Sequence, residues 1–198
     1  MFTITDLEQL QVEHPEWQME LVDGSMLVMG PSDYESEEII LEFARLLANW
    51  VRPQRLGRVT GSSAGFILPS LEDVQEADKL KRNLRAPDVS FVRADRLKKT
   101  KRDFVEIMPD LMVEVKSKSE SPSDTLCERI KTLQEKIQLF LQLGSIVGIL
   151  IDPEKLTLTI YRLNQEPIVL QDNDKLRLPD LLPVWELTVS ELWPPVFE

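Results

Sequence analysis

The chain has 198 residues, 42% of them hydrophobic, enough for one domain whose core needs neither disulfides nor a structural metal. A single cysteine, Cys127, excludes an internal disulfide and a cysteine-rich zinc site, and a single histidine, His14, excludes any centre built on two imidazoles. No apolar run approaches the ~20 residues of a membrane span, and the N-terminus has no basic segment leading into an apolar stretch, so a soluble, cytoplasmic protein is expected. The net charge of −11 argues against indiscriminate nucleic-acid binding, but the charge is unevenly spread. Between Lys79 and Arg102 stand ten basic residues against only two acidic ones, Asp88 and Asp95. Lys79, Lys81, Arg82, Arg85, Lys98 and Lys99 are therefore the candidates for phosphate contact, the plain alternative being a solvated, charge-rich loop.

In chain order, Thr5 with Glu8 has the form of a capping box and opens a short helix that Pro15 ends. Trp17–Val22 and Met26–Met29 read as strands joined by Asp23-Gly24, a pair suited to a hairpin turn with positive φ at both central positions. Ser32 with Glu35 predicts a second capping box. The helix behind it carries Ile39, Ile40, Phe43, Leu46, Leu47, Trp50 and Val51 as an apolar stripe, with Glu35 and Glu42 at the stripe's edge. Gly57–Thr60 and Ala64–Leu68 read as the strands of a hairpin, followed by a long polar connection from Pro69 to Arg85. Val89–Val92 is a strand, Asp95–Phe104 a short basic stretch, and Leu111–Lys116 a strand alternating at period two. Ser121-Pro122 starts a helix whose stripe runs through Leu126, Ile130, Leu133, Ile137, Phe140 and Leu141 to a stop at Gly144. Ile146–Ile151 has the continuous apolar character of a strand covered on both faces, and Leu156–Tyr161 is its hairpin partner. Short strands or a terminal helix complete the chain. This order is that of an α+β (α/β) fold around a central mixed β-sheet flanked by helices, not the strict alternation of a doubly wound sheet.

On the Leu111–Lys116 strand, Glu114 and Lys116 share a face, and a carboxylate and an ammonium in so apolar a segment are costly to desolvate without a task. An ion pair between them is the plain alternative. Asp88 precedes the Val89 strand and stands 26 positions before Glu114, a separation that suits adjacent antiparallel strands. Were the two carboxylates to converge, they would form a hard-oxygen site for Mg²⁺, with Lys116 orienting water or stabilising charge on a phosphate. Glu35 could reach the same cluster from its helix. On the helix after Ser121, Gln134 on one side of the stripe and Arg129 and Lys136 on the other could also address it.

The segments Ala86-Pro87-Asp88-Val89-Ser90-Phe91-Val92 and Pro109-Asp110-Leu111-Met112-Val113-Glu114-Val115-Lys116-Ser117 resemble the PD-(D/E)XK nuclease superfamily, and more narrowly its cyanobacterial Uma2-type, restriction endonuclease-like proteins. Further matches are Glu20–Gly24 followed by Met29–Ser32, Glu35, Leu133–Ile137 and Gly148–Pro153, so that about 140 residues take part. The resemblance implies a restriction-endonuclease-like core over 32–162, with an N-terminal helix and hairpin over 1–31 and a C-terminal extension over 163–198. It implies that Asp88, Glu114 and the Val115 carbonyl hold Mg²⁺, with Mn²⁺ as a substitute, and that Lys116 is the catalytic lysine, with Glu35 and Gln134 in supporting positions. Many relatives lack a lysine on this strand, so its presence here implies an intact site. The function implied is metal-dependent hydrolysis of DNA by a homodimer with no membrane partner. The alternative is an inactive member serving as a DNA-binding or protein-interaction module.

Overall fold

The computed structural model describes residues 1–69, 83–97, 103–117 and 126–197, with backbone alone over 126–131. Helix α1 (Ile4–Glu13) starts two residues earlier than its sequence suggests. Thr3 is the cap: its hydroxyl accepts from the Asp6 N–H while the Asp6 carboxylate accepts from the Thr3 N–H at 2.7 Å. Strands β1 (Gln18–Val22) and β2 (Ser25–Met29) form the expected hairpin, with φ of 48° at Asp23 and 74° at Gly24, the positive pair this two-residue turn needs. Helix α2 (Tyr34–Val51) is capped by Asp33, which accepts from the Ser36 N–H; Ser32, expected in that role, turns instead to the Ser117 hydroxyl.

The expected hairpin over 57–68 does not form. Strand β3 (Gly57–Gly61) and strand β4 (Phe66–Leu68) belong to different sheets. Strand β5 (Asn83–Arg85), hidden in the sequence at the end of a polar stretch, pairs with both β4 and β1. One antiparallel sheet therefore runs β2-β1-β5-β4, with α1 packed on it through Leu7, Met19, Leu21 and Leu84. The N-terminal hairpin is thus part of a larger layer that draws two of its strands from further along the chain.

The main sheet has six strands. To β3 it adds β6 (Val89–Arg93), β7 (Leu111–Val115), β8 (Val147–Asp152), β9 (Thr157–Tyr161) and β10 (Ile168–Leu170), in the order β10-β9-β8-β7-β6-β3. All its pairs are antiparallel except β7 with β8, which helix α3 (Leu126–Gln142) connects in the crossover a parallel pair requires. Every residue of β7 and β8 is buried, because α2 covers one face and α3 the other. Leu111, Val113 and Val115 enter the α2 core, while Met112 faces α3. Gly148 lets α3 approach closely, since a Cβ there would stand 2.4 Å from Ile137 Cγ2. The chain ends with strands β11 (Lys175–Arg177) and β12 (Glu186–Thr188) and a 3-10 turn, and this tail closes the α2 core, with Trp185 meeting Phe43 edge to face at 6.4 Å. Among the described residues no helix is long and apolar enough to cross a membrane.

Candidate active site

Strand register builds the site. Val89 pairs with Val113, so the antiparallel ladder sets Asp88 across from Glu114 at the end of β6 and β7. The Val115 N–H donates to Asp88 Oδ2 at 2.7 Å, which fixes that carboxylate on the edge of the ladder. Glu114 points to the α3 side and is 3% exposed. There it meets Lys136 of α3, one residue before the Ile137 that Gly148 accommodates. Lys136 Nζ lies 3.0 Å from Glu114 Oε1 and donates to Oε2 at 3.2 Å, so the ammonium sits against both oxygens.

A third carboxylate comes from the other sheet. Leu21 pairs with Leu84, which sets Glu20 of β1 across from Arg85 of β5. Glu20 Oε2 lies 2.6 Å from Arg85 Nε, and Oε1 lies 3.0 Å from Lys136 Nζ and accepts from the Ala86 N–H at 2.8 Å. Lys136 also donates to the Ala86 carbonyl at 2.9 Å. Residues 86–88 thus carry the chain from one sheet to the other through the centre of the cluster.

The charges follow from this packing. Burial pushes the Glu114 carboxyl up to about 8, and Asp88 and Glu20 add to the effect while Lys136 opposes it. Burial likewise pushes Asp88 up to about 6 against Lys136 and the Val115 N–H, with Glu37 and Glu20 adding. Burial acts on Glu20 in the same direction but is overcome by Lys136, Arg85 and the Ala86 N–H, which hold this carboxyl below its usual range. Burial disfavours the charge on Lys136, yet Glu114, Glu20 and Asp88 outweigh it and hold the ammonium above the usual lysine range.

The expected residues are not all together. Asp88 and Glu114 meet as the register predicts, but Lys116 does not join them. Strand β7 ends at Val115, and the Lys116 ammonium pairs with Asp152 at 3.3 Å and with Glu154, beyond the end of β8. Lys116 lines a cleft of about 150 Å³ with Asp33, Glu35, Ser36, Ser117, Pro153 and Glu154, so Glu35 stands beside Lys116. The α2 carboxylate whose charge reaches Asp88 is that of Glu37. Gln134 donates to the Tyr161 hydroxyl at 2.9 Å. Of the basic residues assigned to phosphate contact, Arg85 is buried against Glu20, while Lys79, Lys81, Arg82, Lys98 and Lys99 lie outside the described residues, as does the side chain of Arg129. Glu20 was missed as a site residue. The signal available was an acidic side chain between Met19 and Leu21 on an otherwise apolar strand, the same anomaly that marks Glu114.

A mixed sheet between two helices is the arrangement of the restriction-endonuclease-like fold. The chain belongs to the Uma2 family, described as "Putative restriction endonuclease", whose pattern matches residues 4–190. Its fold is shared by a crystal structure of a "putative nuclease belonging to DUF820" from Anabaena variabilis ATCC 29413. The two are 20% identical, with a TM-score of 0.71 over 97% of each chain. No curated protein matches the sequence.

Proposed function

We propose that the protein is a metal-dependent nuclease that hydrolyses phosphodiester bonds of DNA at the Asp88–Glu114 pair, acting as a homodimer. The observation that carries this reading is the buried Glu114 carboxylate set across the ladder from Asp88, with Asp88 held by the Val115 N–H and the Lys136 ammonium against Glu114. Among the described residues no three His, Cys, Asp or Glu come close enough to hold a metal ion by themselves. Two carboxylates are the donor set that suits Mg²⁺, or Mn²⁺ in its place, which binds through one or two carboxylates with water and substrate phosphate completing the shell. Asp88, Glu114 and the Val115 carbonyl would hold it. When bound, the ion supplies a polarised phosphate and a water of lowered pKa.

The remaining work falls to side chains of this chain. Lys136 is the ammonium at the two carboxylates and offers positive charge where the phosphate becomes more negative. Lys116 and Glu35, expected at the reaction itself, line the other cleft and are given no part in the chemical step, and Gln134 is given none either, donating to Tyr161. The basic residues Lys79, Lys81, Arg82, Lys98 and Lys99 are assigned to phosphate contact by their charge.

A cleavage assay on linear and supercoiled DNA tests the reading. Wild type should cut with Mg²⁺ or Mn²⁺ and not with chelator, and Asp88→Ala should lose at least about a hundredfold in rate. DNA retention by both proteins with no cleavage by either favours the other reading, an inactive binding module. The Lys136–Glu114 ion pair supports that second reading, since it already neutralises one of the two carboxylates.

A further inference from the structure

Glu20 is the one carboxylate of the cluster that comes from the four-stranded sheet. We propose that Glu20 is a positioning residue that fixes the Lys136 ammonium against Glu114 and Asp88. The proposal rests on the nuclease reading for what the ammonium does, and on the packing alone for where it is held.

An ammonium has three protons to place and no acceptor capacity. Three groups surround Lys136 Nζ: the Ala86 carbonyl at 2.9 Å, the Glu114 carboxylate with Oε1 at 3.0 Å and Oε2 at 3.2 Å, and Glu20 Oε1 at 3.0 Å. They differ in what else they do. Glu114 stands across the ladder from Asp88, so it is the partner that would turn to an incoming cation. Glu20 is held from both sides, by Arg85 at 2.6 Å and by the Ala86 N–H at 2.8 Å, and is 1% exposed. A carboxylate so engaged has no orientation to lose when substrate arrives. When Glu114 shares its charge with a cation, Glu20 and the Ala86 carbonyl keep the ammonium in place. Without Glu20 the lysine would have one neutral carbonyl and a carboxylate already in use, and a four-carbon stem would let it swing. The same contacts tie residues 86–88, and hence Asp88, to the N-terminal sheet.

The first arm of the test needs neither metal nor DNA. The protein is acylated with an N-hydroxysuccinimide ester and labelling is read lysine by lysine by mass spectrometry. Lys116, buried with other carboxylates, is the internal control. Losing a charge-assisted bond in Glu20→Gln should raise Lys136 labelling by roughly tenfold or more. Lys116 should stay within about twofold, since the two lysines share no acceptor. Glu20→Asp, which keeps the charge and the fold more conservatively, should label closer to wild type. Lys136 labelling that does not change in Glu20→Gln overturns the proposal, and so does a parallel rise at Lys116, which marks a general loosening.

The second arm uses cleavage. Glu20→Gln should lower kcat by about tenfold with KM for DNA unchanged. It should lower nothing further in a Lys136→Gln background, because residues acting through one another are not additive. An equal loss in that background contradicts the proposal. If wild type does not cleave at all, the nuclease reading fails while the labelling arm still decides the role of Glu20.

Discussion

Two buried lysines stand near the ends of the central parallel strands, and each faces two carboxylates. Lys116 pairs with Asp152 and with Glu154, whose side chain is 43% exposed, and Asp152 has a second cation, Lys155, at 3.9 Å. Lys136 pairs with Glu20 and Glu114, which are 2% and 3% exposed, with Asp88 adding its field. The first cluster reaches water through Glu154, although Lys116 and Asp152 are themselves buried. The second is dry, and its carboxyls are pushed away from their ordinary values. Ion pairs of similar geometry therefore differ in worth, and the dry one is where chemistry that needs a shifted carboxyl belongs.

The largest effect should come from removing the dry cation. Lys136→Met leaves Glu114 and Asp88 without their cation and Glu20 with Arg85 alone, and urea denaturation should show a loss of about 3–5 kcal/mol, larger at pH 8 than at pH 5 because Glu114 escapes by taking a proton at the lower pH.

Glu114→Gln sharpens the same contrast through its pH dependence. A carboxyl raised to about 8 holds its proton in the folded protein over a range where the unfolded chain has released it. The stability this contributes is complete below the unfolded value near 4.5 and is lost as pH rises through 8. Glu114→Gln, which cannot ionise, should thus gain on wild type between pH 5 and 8.5, by on the order of 1–3 kcal/mol. A constant difference across that range would place Glu114 in water.

The same proton competes with a metal ion. Titration calorimetry should find Mn²⁺ affinity rising by on the order of tenfold per pH unit between 6 and 7.5, with proton release. At the Lys116 cluster the effects shrink. Lys116→Met should cost about 1–3 kcal/mol, since Asp152 is left buried but keeps Lys155 at 3.9 Å while Glu154 reaches water, and Mn²⁺ affinity should be unchanged.

The sequence made the main sheet legible where one strand carried its own evidence. The continuous apolar run of β8 announced burial on both faces, and the spacing of Asp88 and Glu114 announced a pair of adjacent antiparallel strands. Pairing partners far apart in the chain were not legible: β5 has three residues behind a polar segment, and β4 looked like the return of β3 because its true partner was invisible. The lysine shows the limit most clearly. Strand alternation put Lys116 on the face of Glu114, but alternation holds only while the strand lasts, and β7 stops at Val115. Lys136 was visible only as one of several polar side chains flanking the α3 stripe. Choosing it required knowing that Gly148 brings that turn of helix against the sheet. Glu20 required knowing that the N-terminal hairpin pairs with β5, which delivers it to the same point.

The distinction between the two lysines carries the functional account, and a side-by-side cleavage assay of Lys136→Ala and Lys116→Ala with Mg²⁺ tests it most directly. Lys136→Ala should lose about a hundredfold or more in rate, while Lys116→Ala keeps the rate within about tenfold of wild type. Abolished cleavage in Lys116→Ala with near-normal cleavage in Lys136→Ala would contradict the account and return the reaction to the strand lysine.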